Sequence, residues 1–136
     1  LEACGLPLLH IADPTAEAVK GAGHSCVGLL GTRFTMEQSF YRDRISEHGL
    51  QVIVPDADDR ETAHRIIYDE LCLGVISAAS REAFRRIIAR LRASGAEAVI
   101  LGCTEISMLV GPGDSPVPLF DTTTIHAIAA AEYALA

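Results

Sequence analysis

The sequence contains no apolar stretch approaching the roughly 20 residues that a membrane-crossing helix needs. Its best candidate, Ile125 to Ala136, is short and carries His126 and Glu132. The start has no charged segment followed by an apolar one, so no secretory signal is visible. Positive charge is scarce: eleven Lys plus Arg stand against eighteen Asp plus Glu, a net charge of −7. That balance argues against nucleic acid or an anionic membrane as partner, since both need a positive field. It leaves room for a small anionic substrate, which a few local dipoles can hold. The four cysteines, Cys4, Cys26, Cys72 and Cys103, form no CxxC pair and meet no histidine at zinc spacing, so no metal site is expected. A disulfide framework does not suit a chain with this much core, and free thiols in a cytoplasmic setting are the expectation. GxxxxGK[ST], GxGxxG and GxSxG are all missing, so nucleotide binding and serine hydrolysis lack their usual signals.

What is present is enough for a packed fold. The 136 residues are 49% hydrophobic and 21% charged, with a mean hydropathy of +0.27. This excludes a disordered chain and fits one domain, or a large piece of one, that buries about two-thirds of its unfolded surface. The chain begins Leu1-Glu2-Ala3-Cys4-Gly5-Leu6-Pro7, without Met and in the register of a helix end running into a strand. We therefore expect an N-terminal portion to precede it. There is no internal repeat, linker or low-complexity segment.

Short apolar runs alternate with amphipathic stretches. Leu8 to Ile11 reads as a buried strand, and Asp13-Pro14-Thr15 as a cap with proline at the first helical position, opening a helix to about Lys20. Val27 to Leu30 is the next strand. Thr35 and Gln38 have capping-box spacing and open a helix that stops near Gly49. Leu50 to Val54 is a third strand, closed by Pro55, and Asp58-Asp59-Arg60-Glu61 starts a helix through Leu71 with Gly74 as its C-terminal cap. Ser80 is expected to cap the clearest helix, whose Ala83, Phe84, Ile87, Ile88 and Leu91 recur at i, i+3, i+4, i+7 and i+8 spacing. Ala98 to Leu101 is a fourth strand, Val117 to Phe120 a fifth, and Ile125 to Leu135 a final helix; Gly111 to Pro116 is the candidate hinge. Apolar strands separated by helices predict an α/β fold with a mostly parallel sheet flanked by helices.

In open α/β sheets ligands bind beyond the carboxyl ends of the strands. Two segments qualify: Gly102-Cys103-Thr104-Glu105-Ile106 after the fourth strand, and Gly31-Thr32-Arg33-Phe34-Thr35 after the second. A cysteine at such a turn gains from unpaired N–H groups and a positive helix end, which favour the thiolate. Cys103 is thus a candidate nucleophile or acid/base, with Thr104 supplying a hydroxyl and Gly102 allowing close approach. A small buried thiol followed by an ordinary threonine cap accounts for the same spacing. Thr32 offers a hydroxyl to a carboxylate or phosphate, and Thr35 does the same or simply caps the helix. Arg81, Arg85, Arg86, Arg90 and Arg92 read as a solvated helix face, and Cys26 and Cys72 as packing thiols. His10 and His126 lie beside element ends where a site role is open, whereas His64 sits within a helix.

Gly102-Cys103-Thr104-Glu105-Ile106 resembles the aspartate/glutamate racemase superfamily, in particular its aspartate racemase branch; glutamate racemases usually carry His where this chain has Glu105. Four further segments in matching order extend the resemblance over nearly the whole chain: Leu8 to Asp13, Gly31 to Met36, His64 to Leu71 and Phe120-Asp121-Thr122-Thr123. The resemblance implies two similar α/β lobes with the site between them, residues 1–115 forming the second lobe and 116–136 a strand and helix returning toward the first. It implies racemisation with neither a pyridoxal cofactor nor a metal: one residue removes the Cα proton and another delivers a proton to the opposite face. Cys103 matches the second-lobe acid/base, Thr104 a carboxylate-holding residue, and Thr32 with Thr35 further substrate contacts; Glu105 orients the site or the substrate amine. The family's first acid/base lies in an Asn-Thr motif that this chain does not contain. The implied partners are a small amino acid, an N-terminal lobe and, for a homodimer, a second copy. Two other readings stay open: a single-cysteine relative acting as decarboxylase or cis–trans isomerase on a dicarboxylate, and a non-catalytic ligand-binding α/β domain.

Overall fold

A computed structural model describes residues 4–136. Four parallel strands, β1 (Cys26–Leu30), β2 (Gln51–Ile53), β3 (Ala98–Leu101) and β4 (Leu119–Asp121), lie in the order β2-β1-β3-β4. The helices are α1 (Ala12–Gly21), α2 (Arg33–Glu37), α3 (Ser39–Ser46), α4 (Ala57–Asp69), α5 (Ala78–Ala93), α6 (Ile106–Leu109) and α7 (Thr122–Leu135). Short 3-10 turns occupy Leu71–Leu73 and Pro112–Asp114. This is the α/β architecture that the alternation of apolar and amphipathic segments predicts.

Side chains alternate across a strand, and the two central strands bury both faces. Val27, Leu29, Ala98 and Ile100 join Ala12, Ala16 and Val19 of α1 and Tyr41 and Ile45 of α3 in one core. Leu30, Val99 and Leu101 join Ile66 and Ile67 of α4 and Phe84, Ile87, Ile88 and Leu91 of α5 in the other. Fully burying a side chain such as Phe84 or Ile88 contributes roughly 1.5–3 kcal/mol. Gly28 is the small residue that lets α5 come close: a Cβ there would lie 3.0 Å from Leu91 Cδ1. Fixed polar links add to this packing. Asp56 caps α4 by accepting from the Asp59 N–H at 2.9 Å, and Asp59 in turn receives two 2.7 Å hydrogen bonds from Arg90 near the end of α5.

Several boundaries differ from the sequence reading. Leu8 to Ile11 is not a strand, and Leu8 is 59% exposed. His10 turns the chain into α1 instead, its Nδ1 accepting from the Ala12 N–H and its carbonyl from the Asp13 N–H, both at 3.1 Å. Four strands are present among the described residues rather than five. Thr32, not Thr35, caps α2, and the helical stretch toward Gly49 breaks at Gln38, whose backbone is extended. Ser77, not Ser80, caps α5: its Oγ accepts from the Ser80 N–H at 3.1 Å. Ser80 is buried and donates to Glu70 Oε1 at 2.6 Å. The Arg81–Arg92 face carries more than solvent, since Arg81 donates to the Leu109 carbonyl and Arg85 to Asp114. Asp114 also accepts from the Gly111 N–H, which ties down the loop read as a hinge.

Asp13 does not cap α1. It clamps α1 to α3, accepting from Arg44 Nε and Nη2 at 2.8 Å each and facing His48 Nε2 at 2.9 Å. The Arg44 hydrogen bonds, with His48 adding to them, hold its carboxyl far below the usual carboxylate range. A carboxyl depressed in the folded state stabilises the fold above its unfolded pKa near ~4, and that contribution is lost as pH falls further. Asp13→Asn is therefore expected to lower the melting temperature most at pH 6–7, and the gap to the parent should narrow at pH 3. Thermal melts at the two pH values check this.

Candidate active site

The connections from β1 leave toward β2 on one side, while those from β2 return across to β3 on the other. The order β2-β1-β3-β4 therefore puts a topological switch point between the carboxyl ends of β1 and β3, where α/β sheets open a crevice. The register aligns Leu30 with Leu101, so the segments Gly31-Thr32 and Gly102-Cys103 emerge side by side. The Gly102 N–H donates to the Leu30 carbonyl at 2.7 Å, continuing the ladder one residue beyond the strands. Thr122, at the start of α7, donates its hydroxyl to the Leu101 carbonyl at 2.8 Å and closes the other side.

Two glycines bring the pieces together. A Cβ on Gly31 would lie 2.9 Å from Thr35 Cβ, and one on Gly102 would lie 3.1 Å from Thr35 Cγ2 and 3.0 Å from the Leu30 carbonyl oxygen. The first turn of α2 thus rests directly on the segment that presents Cys103. Thr32 Oγ1 accepts from the Thr35 N–H at 3.4 Å and lies 3.3 Å from Thr35 Oγ1, so both hydroxyls are engaged with each other. Arg33 donates its N–H to His64 Nδ1 at 3.0 Å, and its guanidinium pairs with Glu61. The His64 ring lies tilted against Tyr68, with 4.7 Å between centroids.

Cys103 is half-buried against the core that contains Leu30, Leu71 and Ile106. Its thiol donates to Glu105 Oε2 at 2.8 Å. Burial first, and then the Glu105 carboxylate, push the thiol up to about 12, with Cys72 acting in the same direction. The expectation that the turn favours a thiolate is thus reversed. The helix that follows, α6, is a single turn of four residues, too short for a dipole to outweigh burial beside a carboxylate. Glu105 is held below the usual carboxylate range by the Cys103 thiol and then the Thr104 hydroxyl. Thr104 itself is exposed.

Thr32, Thr35, Cys103, Thr104 and Glu105 thus lie on two adjoining segments at one end of the sheet. Neither His10 nor His126 hydrogen-bonds to Cys103 or Glu105; His126 Nε2 meets the Leu9 carbonyl at 3.0 Å. The thiol read as packing, Cys72, is instead exposed, on the Leu71–Leu73 turn that packs against α6. A cavity of about 540 Å³ lies elsewhere, against Val54, Pro55, Ile87 and Leu91. Its arginines are already committed, Arg90 to Asp59 and Arg60 to Glu37 and the Pro55 carbonyl.

A parallel sheet whose switch point gathers a cysteine, a carboxylate and threonine hydroxyls defines an α/β fold of the kind that binds ligands beyond the carboxyl ends of its strands. The family model for Asp/Glu/hydantoin racemases matches residues 2–130, and the chain belongs to that family. A Yersinia pestis protein described as a candidate Asp/Glu racemase is 60% identical, with a TM-score of 0.95 over 99% of this chain and 59% of its own. An aspartate racemase homologue from Pyrococcus horikoshii OT3 is 37% identical, with a TM-score of 0.88 over 96% of this chain and 57% of its own. The aspartate racemase of Picrophilus torridus, 23% identical, shares the fold at a TM-score of 0.69 over 91% of this chain and 52% of its own. The chain thus spans less than two-thirds of each of these structures. Among the described residues no helix is long and apolar enough to cross a membrane.

The glycine contacts give a direct test of the assembly. Gly102→Ala forces its methyl against the Leu30 carbonyl and Thr35, and overpacking of this kind costs typically 1–3 kcal/mol. Gly21→Ala, in α1 with nothing within 4 Å of the added Cβ, is expected to be neutral or stabilising by up to about 1 kcal/mol. Urea midpoints of the two variants, compared with the parent, check both.

Proposed function

We propose that the complete polypeptide carrying this chain is a racemase of aspartate, glutamate or a similar small amino acid, working without a pyridoxal cofactor. Cys103 is one of its two proton carriers. The observation that carries this reading is the thiol of Cys103, fixed by Glu105 at the switch point of the sheet in a member of a racemase family. One base takes the Cα proton, and Cys103 supplies a proton to the opposite face of the planar carbanion. Hydroxyl donors from Thr32, Thr35 and Thr104 act on the substrate carboxylate, where negative charge grows in the transition state. Glu105 orients the substrate amine.

The second base belongs to a first lobe outside this chain, with residues 1–115 forming the second lobe and 116–136 returning toward the first. The length of the structural relatives supports that arrangement, as do the exposed apolar side chains Leu6, Phe34, Phe40 and Met108. Four free cysteines suit a cytoplasmic setting.

The complete polypeptide, incubated with L-aspartate or L-glutamate in D2O, is expected to place deuterium at Cα as optical rotation decays. Cys103→Ser should slow both by about 100-fold or more, the range of a lost acid/base. Release of CO2 without racemisation would replace this reading with a decarboxylase. Retention of ligand affinity in Cys103→Ser, with no exchange in either protein, would replace it with a binding domain.

A further inference from the structure

Cys103 and Glu105 face each other with Sγ and Oε2 2.8 Å apart, on one loop and two residues apart in sequence. A thiolate and a carboxylate cannot both be anionic at that separation in a half-buried site without strong repulsion, so one proton must lie between them. Of the two groups the carboxyl is the stronger acid, so the proton belongs to sulfur, which donates to Oε2. We infer that Glu105 is a positioning residue that keeps Cys103 in its thiol form, so that the resting site presents a proton donor on this side of the substrate and a base on the other.

One neighbour acts against the Glu105 carboxylate, its own backbone N–H, which favours the thiolate but is outweighed by burial and the carboxylate. Strand β1 and helix α2 present Leu29, the Leu30 carbonyl and Thr35 to the adjoining Gly102, and none of these ionises. The Leu71–Leu73 turn packed on α6 contributes Cys72, whose influence also favours the thiol. On β4, Asp121 stands opposite Leu101 and is occupied in capping α7 through Thr123 and Thr124. The nearest arginine in sequence to the opposing segment, Arg33, is paired with Glu61. The cations of Arg81 and Arg85 are likewise engaged, by the Leu109 carbonyl and Asp114.

The inference rests on the racemase reading for its consequence, which is a defined order of proton movements. The Cα–H bond breaks toward the opposite base, which gains the proton. The S–H bond of Cys103 breaks toward Cα, which gains a proton on the other face, and Cys103 is left as a thiolate beside Glu105. That pair of anions is the high-energy arrangement, so the thiolate recovers a proton from solvent, or from substrate in the reverse direction, as the opposite base gives one up. The resting enzyme accordingly accepts the enantiomer whose Cα–H faces the opposite base. This role for Glu105 is distinct from orienting the substrate amine.

The test is the pH dependence of iodoacetamide alkylation at Cys103 in the complete polypeptide, read peptide by peptide so that each cysteine is followed separately. In the parent, alkylation of Cys103 is expected to rise only well above the ~8.5 midpoint of an ordinary thiol. Glu105→Gln, which keeps the shape and removes the charge, should move that midpoint down and speed alkylation at pH 8 on the order of tenfold for each unit moved. Glu105→Asp should stay nearer to the parent, and Cys4 should be unchanged in all three. A parent midpoint at or below 8.5, or a Glu105→Gln profile that superimposes on the parent, would overturn the proposal. Because the readout uses no substrate, a failure here is distinct from a failure to exchange the Cα proton, which would remove the racemase reading and leave the thiol–carboxylate pairing standing.

Discussion

The pairing of β1 with β3 is the constraint on which the rest of this structure depends. Four consecutive residues match in register, Val27 to Leu30 against Ala98 to Leu101. Because side chains alternate, that register decides which residues enter which core. A slip by one would expose Leu29 and Ile100 to the α5 side and drive Leu30 and Leu101 against α1 and α3. It would also part Gly31 from Gly102, and with them the contact through which Thr35 seats the Cys103 loop. Packing on both faces of two short strands thus sets the geometry of the site, and the hydrogen bonds of Gly102 and Thr122 to the strand carbonyls complete it.

Within that frame the chemistry is set by desolvation and by one carboxylate. A cysteine at a strand-to-helix turn is commonly described as activated, because amide groups and a helix end stabilise its anion. Here α6 is a single turn, the sulfur is packed against leucine and isoleucine, and the nearest charge is negative. Burial and the carboxylate both push the thiol up, and the short helix does little to oppose them. The result is a thiol that is a weaker acid than an ordinary cysteine.

Much of this was legible in the sequence, and the exceptions share a cause. β3 was readable to the residue, since Ala98 to Leu101 is buried on both faces and so leaves an uninterrupted apolar run. The core stripe of α5 was equally plain. At two helix starts the sequence reading took the later of two hydroxyl residues as the cap, Thr35 where Thr32 caps and Ser80 where Ser77 does. In each pair the later residue faces inward, to Gly102 or to Glu70, and such partners are remote in sequence. The segment Leu8 to Ile11 has a strand's composition but no strand to pair with. For the site, the residues after the two central strands could be named from topology alone. The state of the thiol could not, because it depends on burial and on the rotamer that turns Glu105 back toward sulfur.

Both borders of the sheet are short. β2 and β4 are three residues each; β2 runs out at Pro55, and β4 passes without a break into α7. A neighbouring chain that tried to zip onto either border would find only a few free N–H and C=O groups before meeting a proline or a helix. The long hydrogen-bonding registers belong to the interior pair, where helices cover both faces. The apolar runs Val27 to Leu30 and Ala98 to Leu101 are thereby confined to the interior of the sheet, where the neighbouring positions are already taken. Brevity at the margin acts as a guard against fibril growth, obtained from strand length alone.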